Sequence, residues 1–127
     1  MLGKEFRLRR RGDFKRVYAQ GSSVVTQWLV IYALLRNEGS PRFGFSISKR
    51  LGKAVVRNRL KRRLSEAVKS IGATSGPPRD YVIIARSGVK DRAFSDICYA
   101  VRNGFSRIEK RAKTASRNED GSESTLR

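Results

Sequence analysis

The chain has 127 residues, 29 Lys and Arg against 11 Asp and Glu, a formal charge of +18 and no histidine. That length fits one domain with a real core, and so large a positive charge calls for an anionic partner, of which nucleic acid is the usual one. Without histidine the usual general base, the Ser-His and Cys-His nucleophile pairs and the His-based zinc sites are missing, and with Cys98 as the only cysteine there is no intrachain disulfide or multi-cysteine metal site.

Met1 to Arg11 is basic with no apolar stretch behind it, and no run of about 18 apolar residues follows anywhere, so neither a signal peptide nor a membrane span is expected. A soluble, cytoplasmic protein is the expectation. Residues 1–11 make a basic arm, free to flex, and the wider cluster Lys4, Arg7, Arg9, Arg10, Arg11, Lys15 and Arg16 reads either as a frayed, solvated terminus or as an RNA-contacting arm. Asp13 is placed to cap a short first helix in which Phe14, Val17 and Tyr18 share a face, and Gly21 to end it in the left-handed conformation.

Ser23 to Arg36 is rich in β-branched and aromatic residues and predicts one strand or two short ones, with Trp28, Val30 and Tyr32 on one face and Leu29, Ile31 and Ala33 on the other. After the turn Asn37–Pro41, Phe43, Phe45 and Ile47 alternate with Gly44, Ser46 and Ser48, which gives the next strand one greasy face and one small, polar face. Gly52 allows a tight turn. Behind it Val56, Leu60, Leu64, Ala67, Val68 and Ile71 form the apolar stripe of a central helix starting near Val55 or Val56, with Asn58, Lys61, Arg62, Ser65 and Lys69 on its far side. Gly72 to Asp80 is a loop, Tyr81 to Arg86 a central strand, and Phe94, Ile97, Cys98, Val101, Phe105 and Ile108 the stripe of a last helix over residues 93–111. Residues 112–127 carry three bases and three acids, have little to bury, and are expected to be a disordered tail. The order α-β-β-β-α-β-α predicts a two-layer α+β domain over residues 1–111, helices packed on a four-stranded sheet.

The strongest chemical signal lies between Lys49 and Arg63, where eight of fifteen residues are Lys or Arg and no acid intervenes. Lys49, Arg50, Arg57, Asn58, Arg59, Lys61, Arg62 and Arg63 are the candidate RNA-binding residues. Guanidiniums grip phosphates through forked, charge-assisted hydrogen bonds, and an amide between them can both donate and accept toward phosphates and 2′-hydroxyls. A solvated basic face is the bland alternative. Phe14, Tyr18 and Tyr32 are candidates for base stacking, with core packing the alternative for Phe14. Cys98 is expected to be a buried thiol. A metal-dependent nuclease built on Asp13, Asp80, Asp91 or Asp96 is weak, because no spacing gathers these acids.

Phe43 to Arg62, F-G-F-S-I-S-K-R-L-G-K-A-V-V-R-N-R-L-K-R, resembles the signature of the bacterial ribonuclease P protein subunit, and G-D-F-K-R-V-Y, L-V-I-Y and D-Y-V-I-I-A-R extend the resemblance over about residues 6–110. The resemblance implies a protein that partners a catalytic RNA and binds precursor tRNA, the RNA holding the Mg2+ ions and hydrolysing the bond that frees the 5′ leader. It implies no catalytic side chain, no metal ligand and no required protein partner, and a left-handed crossover through the central helix where the general rule favours a right-handed one. Carried over by position, Phe14, Val17, Tyr18, Tyr32, Ser46 and Ser48 would line a cleft for the leader, while the motif helix would meet the catalytic RNA. Ser65 stands where that family often has Arg before the motif's Glu, here Glu66. The competing expectation is a general basic RNA-binding or ribosome-associated protein.

Overall fold

The computed structural model describes the backbone of residues 2–125 and the side chains of residues 2–112. A short 3-10 turn, Lys4–Phe6, precedes α1 (Arg11–Gln20), β1 (Ser22–Val25), β2 (Leu29–Leu35), β3 (Arg42–Ser46), α2 (Ala54–Ser70), β4 (Arg79–Ala85) and α3 (Phe94–Thr125). The four strands form one mixed sheet in the order β1-β2-β4-β3. β2 pairs antiparallel with β1 and β4, and β3 runs parallel to β4, with Phe43 opposite Tyr81 and Ser46 opposite Ile84. A parallel pair needs a crossover, and α2 supplies it. The predicted α+β domain, helices on a four-stranded sheet, is the architecture found.

Strand alternation sends side chains to two unequal faces. Leu29, Ile31, Phe43, Tyr81 and Ile83 point to the main core, where they meet Leu60, Leu64, Ala67 and Val68 of α2 and Ile97, Val101 and Ile108 of α3. Each fully buried Leu, Ile or Val here is worth about 1.5–3 kcal/mol, so the stripe of α2 anchors the basic helix to the sheet. Phe43, Tyr81 and Phe105 stack at ring-centre distances of 4.5 to 5.9 Å. Burial raises the Tyr81 phenol above its ordinary range, against the opposing pull of Arg79. On the other face lies a smaller cluster of Leu8, Val17 and Val82, with Phe14, Tyr32, Leu34 and Ile84 packed against it, Leu8 coming from the arm and Phe14 and Val17 from α1.

Several local expectations change. Asp13 sits inside the first turn of α1 rather than at its cap, because the helix begins behind Arg10, three residues before the expected cap. Its carboxylate pairs with Arg16 at 3.1 Å and Arg42 at 3.8 Å. Gly21 is extended, not left-handed; a Cβ there would lie 2.6 Å from the Val17 carbonyl and 2.7 Å from that of Ala33, so glycine lets the chain pass between helix and strand. Gly52 turns at φ +145°, a conformation that favours glycine. Gly104 is the close-packing point of α3, where a Cβ would meet Ile31 Cδ1 at 2.3 Å. Cys98 is half-buried against the core rather than enclosed.

The arm before α1 lies along the outer edge of the sheet. Arg7 forms a parallel bridge with Phe43, the Leu8 N–H donates to the Phe43 carbonyl at 3.0 Å, and Leu2 and Leu8 are buried. At the other end α3 runs on past Arg111, and the tail expected over residues 112–127 falls on side chains that, from residue 113, lie outside those described.

Candidate nucleic-acid interface

The open part of the sheet beside α1 is built from small and aromatic residues. Phe14 from α1 lies over Gly44 of β3, so closely that a Cβ on residue 44 would stand 2.5 Å from the ring. Tyr18, one turn on, meets Tyr32 of β2 edge to face, with ring centres 5.0 Å apart and planes at 83°. Tyr18 keeps 40% of its surface exposed, whereas Phe14 and Tyr32 are half-buried. Ser46 ends β3 half-buried, and Ser48 accepts a hydrogen bond from the Arg50 N–H at 3.2 Å, which shapes the 3-10 turn Lys49–Leu51. Val17 differs from the other five: it is wholly buried against Leu8 and Val82, so it supports the floor and offers no surface.

The cationic helix face emerges as drawn by the apolar stripe, with two shifts. Asn58, Arg59, Lys61 and Arg62 lie on α2, with Lys49 and Arg50 before it, and of the eight motif residues Arg57 and Arg63 are half-buried. Arg57 donates from Nε to the Gly52 carbonyl at 3.2 Å and so braces the turn that precedes its own helix. Ser65, expected on the far side, is buried, its hydroxyl donating to the Lys61 carbonyl at 3.0 Å, and it shares the lining of a pocket with Arg7, Leu8 and Arg9 of the arm.

Two features were not visible in the sequence. A groove of ≈ 450 Å³ runs between α2 and the segment before α3, lined by Arg59, Arg63, Lys90, Asp91 and Arg92. Lys90 and Arg92 are only two charges in a short loop, and no periodicity marks them; Arg92 also lies over the Trp28 ring at 4.7 Å. The second is a pocket of ≈ 280 Å³ at the edge of β3 where Phe14 and Gly44 of the cleft meet Lys61 and Ser65 of α2. Cleft and cationic helix are therefore contiguous.

Electrostatics within the fold stay apart from this surface. Asp80 is wholly buried; Arg42 donates to both its oxygens at 2.8 and 2.7 Å and Arg36 approaches at 3.4 Å. The bond to Asp80 raises the Arg42 guanidinium pKa. Arg79 pairs with Glu109. Among the described residues no three His, Cys, Asp or Glu side chains gather in a way that could hold a metal ion, and no helix is long and apolar enough to cross a membrane.

Comparison with known proteins adds independent evidence. The family model for ribonuclease P matches residues 2–109. The ribonuclease P protein component of Streptococcus thermophilus is 44% identical over 96 residues, covering 76% of this chain and 86% of that one. Its counterpart in Clostridioides difficile is 39% identical over 103 residues, covering 80% and 90%. Among solved structures, the Staphylococcus aureus RNase P protein superposes with a TM-score of 0.73 at 33% identity over 81% of this chain and 94% of that one. The Thermotoga maritima RNase P protein gives 0.70 at 26% identity over 76% and 92%. With its sequence signature, its fold and these relatives in agreement, the chain belongs to the ribonuclease P protein family.

Proposed function

We infer that this chain is the protein subunit of ribonuclease P, an endoribonuclease that removes the 5′ leader of precursor tRNA, and that it acts by binding RNA while the RNA subunit performs the cleavage. The observation that carries this reading is the meeting of Phe14 and Lys61 in one pocket, which joins an aromatic cleft to a cationic helix face. A single-stranded leader needs both, stacking for its bases and cations for its phosphates.

In this reading Lys49, Arg50, Asn58, Arg59, Lys61 and Arg62 dock on the catalytic RNA and the nearby substrate, with Arg63 at the margin and Arg57 holding the turn. Phe14, Tyr18, Tyr32, Ser46 and Ser48 take the leader, over a floor supported by Val17. Mg2+ belongs to the RNA. The chain's own donors do not fit such an ion, since Asp80 is committed to Arg42 and the described acids do not cluster. No further protein is required, and the complex is expected in the cytoplasm.

The test is reconstitution with a catalytic RNA and precursor tRNA. The protein alone is expected to leave the substrate intact, and added to its RNA at low Mg2+ to raise cleavage. Affinity should increase with leader length until the cleft is filled. An affinity indifferent to leader length would remove the cleft assignment.

A further inference from the structure

We propose that Arg107 and Arg111 of α3 close the β1 edge of the sheet against strand addition, and that the strand they keep out is β1 of a second copy of this chain. The inference stands apart from the RNA-binding reading. A sheet edge presents unpaired N–H and C=O groups on which another strand can add, and folded proteins blunt it with charge, proline, a bulge or a cover. The β3 edge is covered by the arm, through the Arg7–Phe43 bridge and the bond from the Leu8 N–H to the Phe43 carbonyl. β1 lies at the opposite edge, and the chain around it supplies neither charge nor proline: residues 17–35 contain no Lys, Arg, Asp, Glu or Pro.

The register shows which carbonyls are at risk. The Thr26 N–H donates to the Leu29 carbonyl at 2.8 Å, and β1 pairs Val25 with Val30, Val24 with Ile31 and Ser23 with Tyr32. Hydrogen-bonded and non-bonded pairs alternate in an antiparallel ladder, so Val24 faces β2 while Ser23 and Val25 turn their backbone groups outward. Those two carbonyls are the ones that α3 occupies. Arg107 donates from Nη1 to the Val25 carbonyl at 2.7 Å, and Arg111 donates from Nη1 to that of Ser23. The spacings match, since four helical residues rise about 6 Å and two strand residues about 6 to 7 Å. One turn of α3, running against the strand, thus sets a guanidinium on each outward carbonyl. An incoming strand must break two charge-assisted hydrogen bonds and bring its own amides against cations already in place.

A second copy is the strand that fits. Two β1 edges brought together about a two-fold axis beside Val24 place Ser23 of each opposite Val25 of the other, so that each outward-facing pair exchanges both of its bonds. Val24 is anchored in the main core, and Val25, a β-branched residue 53% exposed, gains cover in that arrangement. The strand has no charge of its own with which to repel its copy. The charge that guards this edge is borrowed from the helix beside it.

The experiment is sedimentation equilibrium on the full chain at fixed salt, where the native protein should be monomeric. Arg107→Ala with Arg111→Ala should self-associate about a hundredfold more tightly, roughly tenfold for each charge-assisted hydrogen bond that an incoming strand no longer has to break. Lys69→Ala with Arg102→Ala, both at exposed positions, lowers the charge by the same amount away from the edge and should stay monomeric. Ser23→Pro, added to the arginine variant, removes an outward N–H without touching the ladder to β2 and should restore the monomer. A folded arginine variant that associates no more than the native chain overturns the proposal. So does equal association by the Lys69 and Arg102 variant, which would make net charge the cause, or a dimer that survives Ser23→Pro, which would place the contact elsewhere. If the double variant fails to fold, Arg107→Ala alone frees the Val25 carbonyl and is read against the same controls, with about a tenfold effect expected.

Discussion

Asp80 shows how a single residue can take a role that its sequence context hides. In the chain it is one acid after a Gly-Pro-Pro loop, a weak candidate metal ligand. In the fold it is wholly buried and receives both forks of Arg42. A buried carboxylate is tolerated only when its charge is met, and here it ties β4 to the start of β3, the strand that carries the cleft's small residues. Asp80→Asn keeps the shape and removes the charge. Breaking a buried pair costs about 3–5 kcal/mol, and Arg42, with 27% of its side chain exposed, recovers part of that from water, so a loss of about 2–3 kcal/mol is expected by denaturant titration. A loss below about 0.5 kcal/mol would mean that the pair does not hold the strands.

At the scale of elements, periodicity made most of this protein legible. The stripe of α2 predicted its packing face, the alternation of β3 its small face, and the apolar run of β4 its central place. What pattern could not carry is where separate segments meet. The arm's pairing along β3 joins segments far apart in the chain, and the first helix starts behind Arg10 with no side-chain cap, so Asp13 did not mark its beginning. The groove between α2 and the segment before α3 is of the same kind. Arg59 and Arg63 were visible as motif residues; Lys90 and Arg92 join them only in three dimensions. If this groove belongs to the RNA-docking face, Lys90→Ala with Arg92→Ala should weaken binding of the protein to its RNA and flatten the log–log salt slope by about 0.7 to 0.9 for each phosphate no longer neutralised. Because Arg92 also covers Trp28, thermal melting must accompany the measurement: a protein with native melting and an unchanged slope would exclude the groove from the interface.

For the whole molecule the charge of +18 acts in two opposite directions. In the free protein it is self-repulsion, gathered on residues 1–111, which hold 26 of the 29 bases and 8 of the 11 acids; the internal pairs of Arg42, Arg36 and Arg79 engage few of those cations. Compact states under such repulsion gain from anything that screens it. Raising salt shortens the screening length from about 30 Å at 0.01 M to about 8 Å at 0.15 M, so the free protein's Tm should rise over that range. The complex should respond in the reverse sense, since neutralising each phosphate releases counterions on binding and affinity falls as salt rises. RNA also binds the folded state in preference to the unfolded one, which raises Tm further by mass action. The two salt responses should therefore converge: at low salt the RNA-bound protein melts well above the free one, and the gap narrows as salt is added, from above by weaker binding and from below by better screening. Melting curves with and without RNA across a salt series measure both limbs. If the free protein's Tm instead fell with salt, attraction among its own charges would outweigh their repulsion, and the surface could not be the under-compensated cationic face that an RNA partner requires.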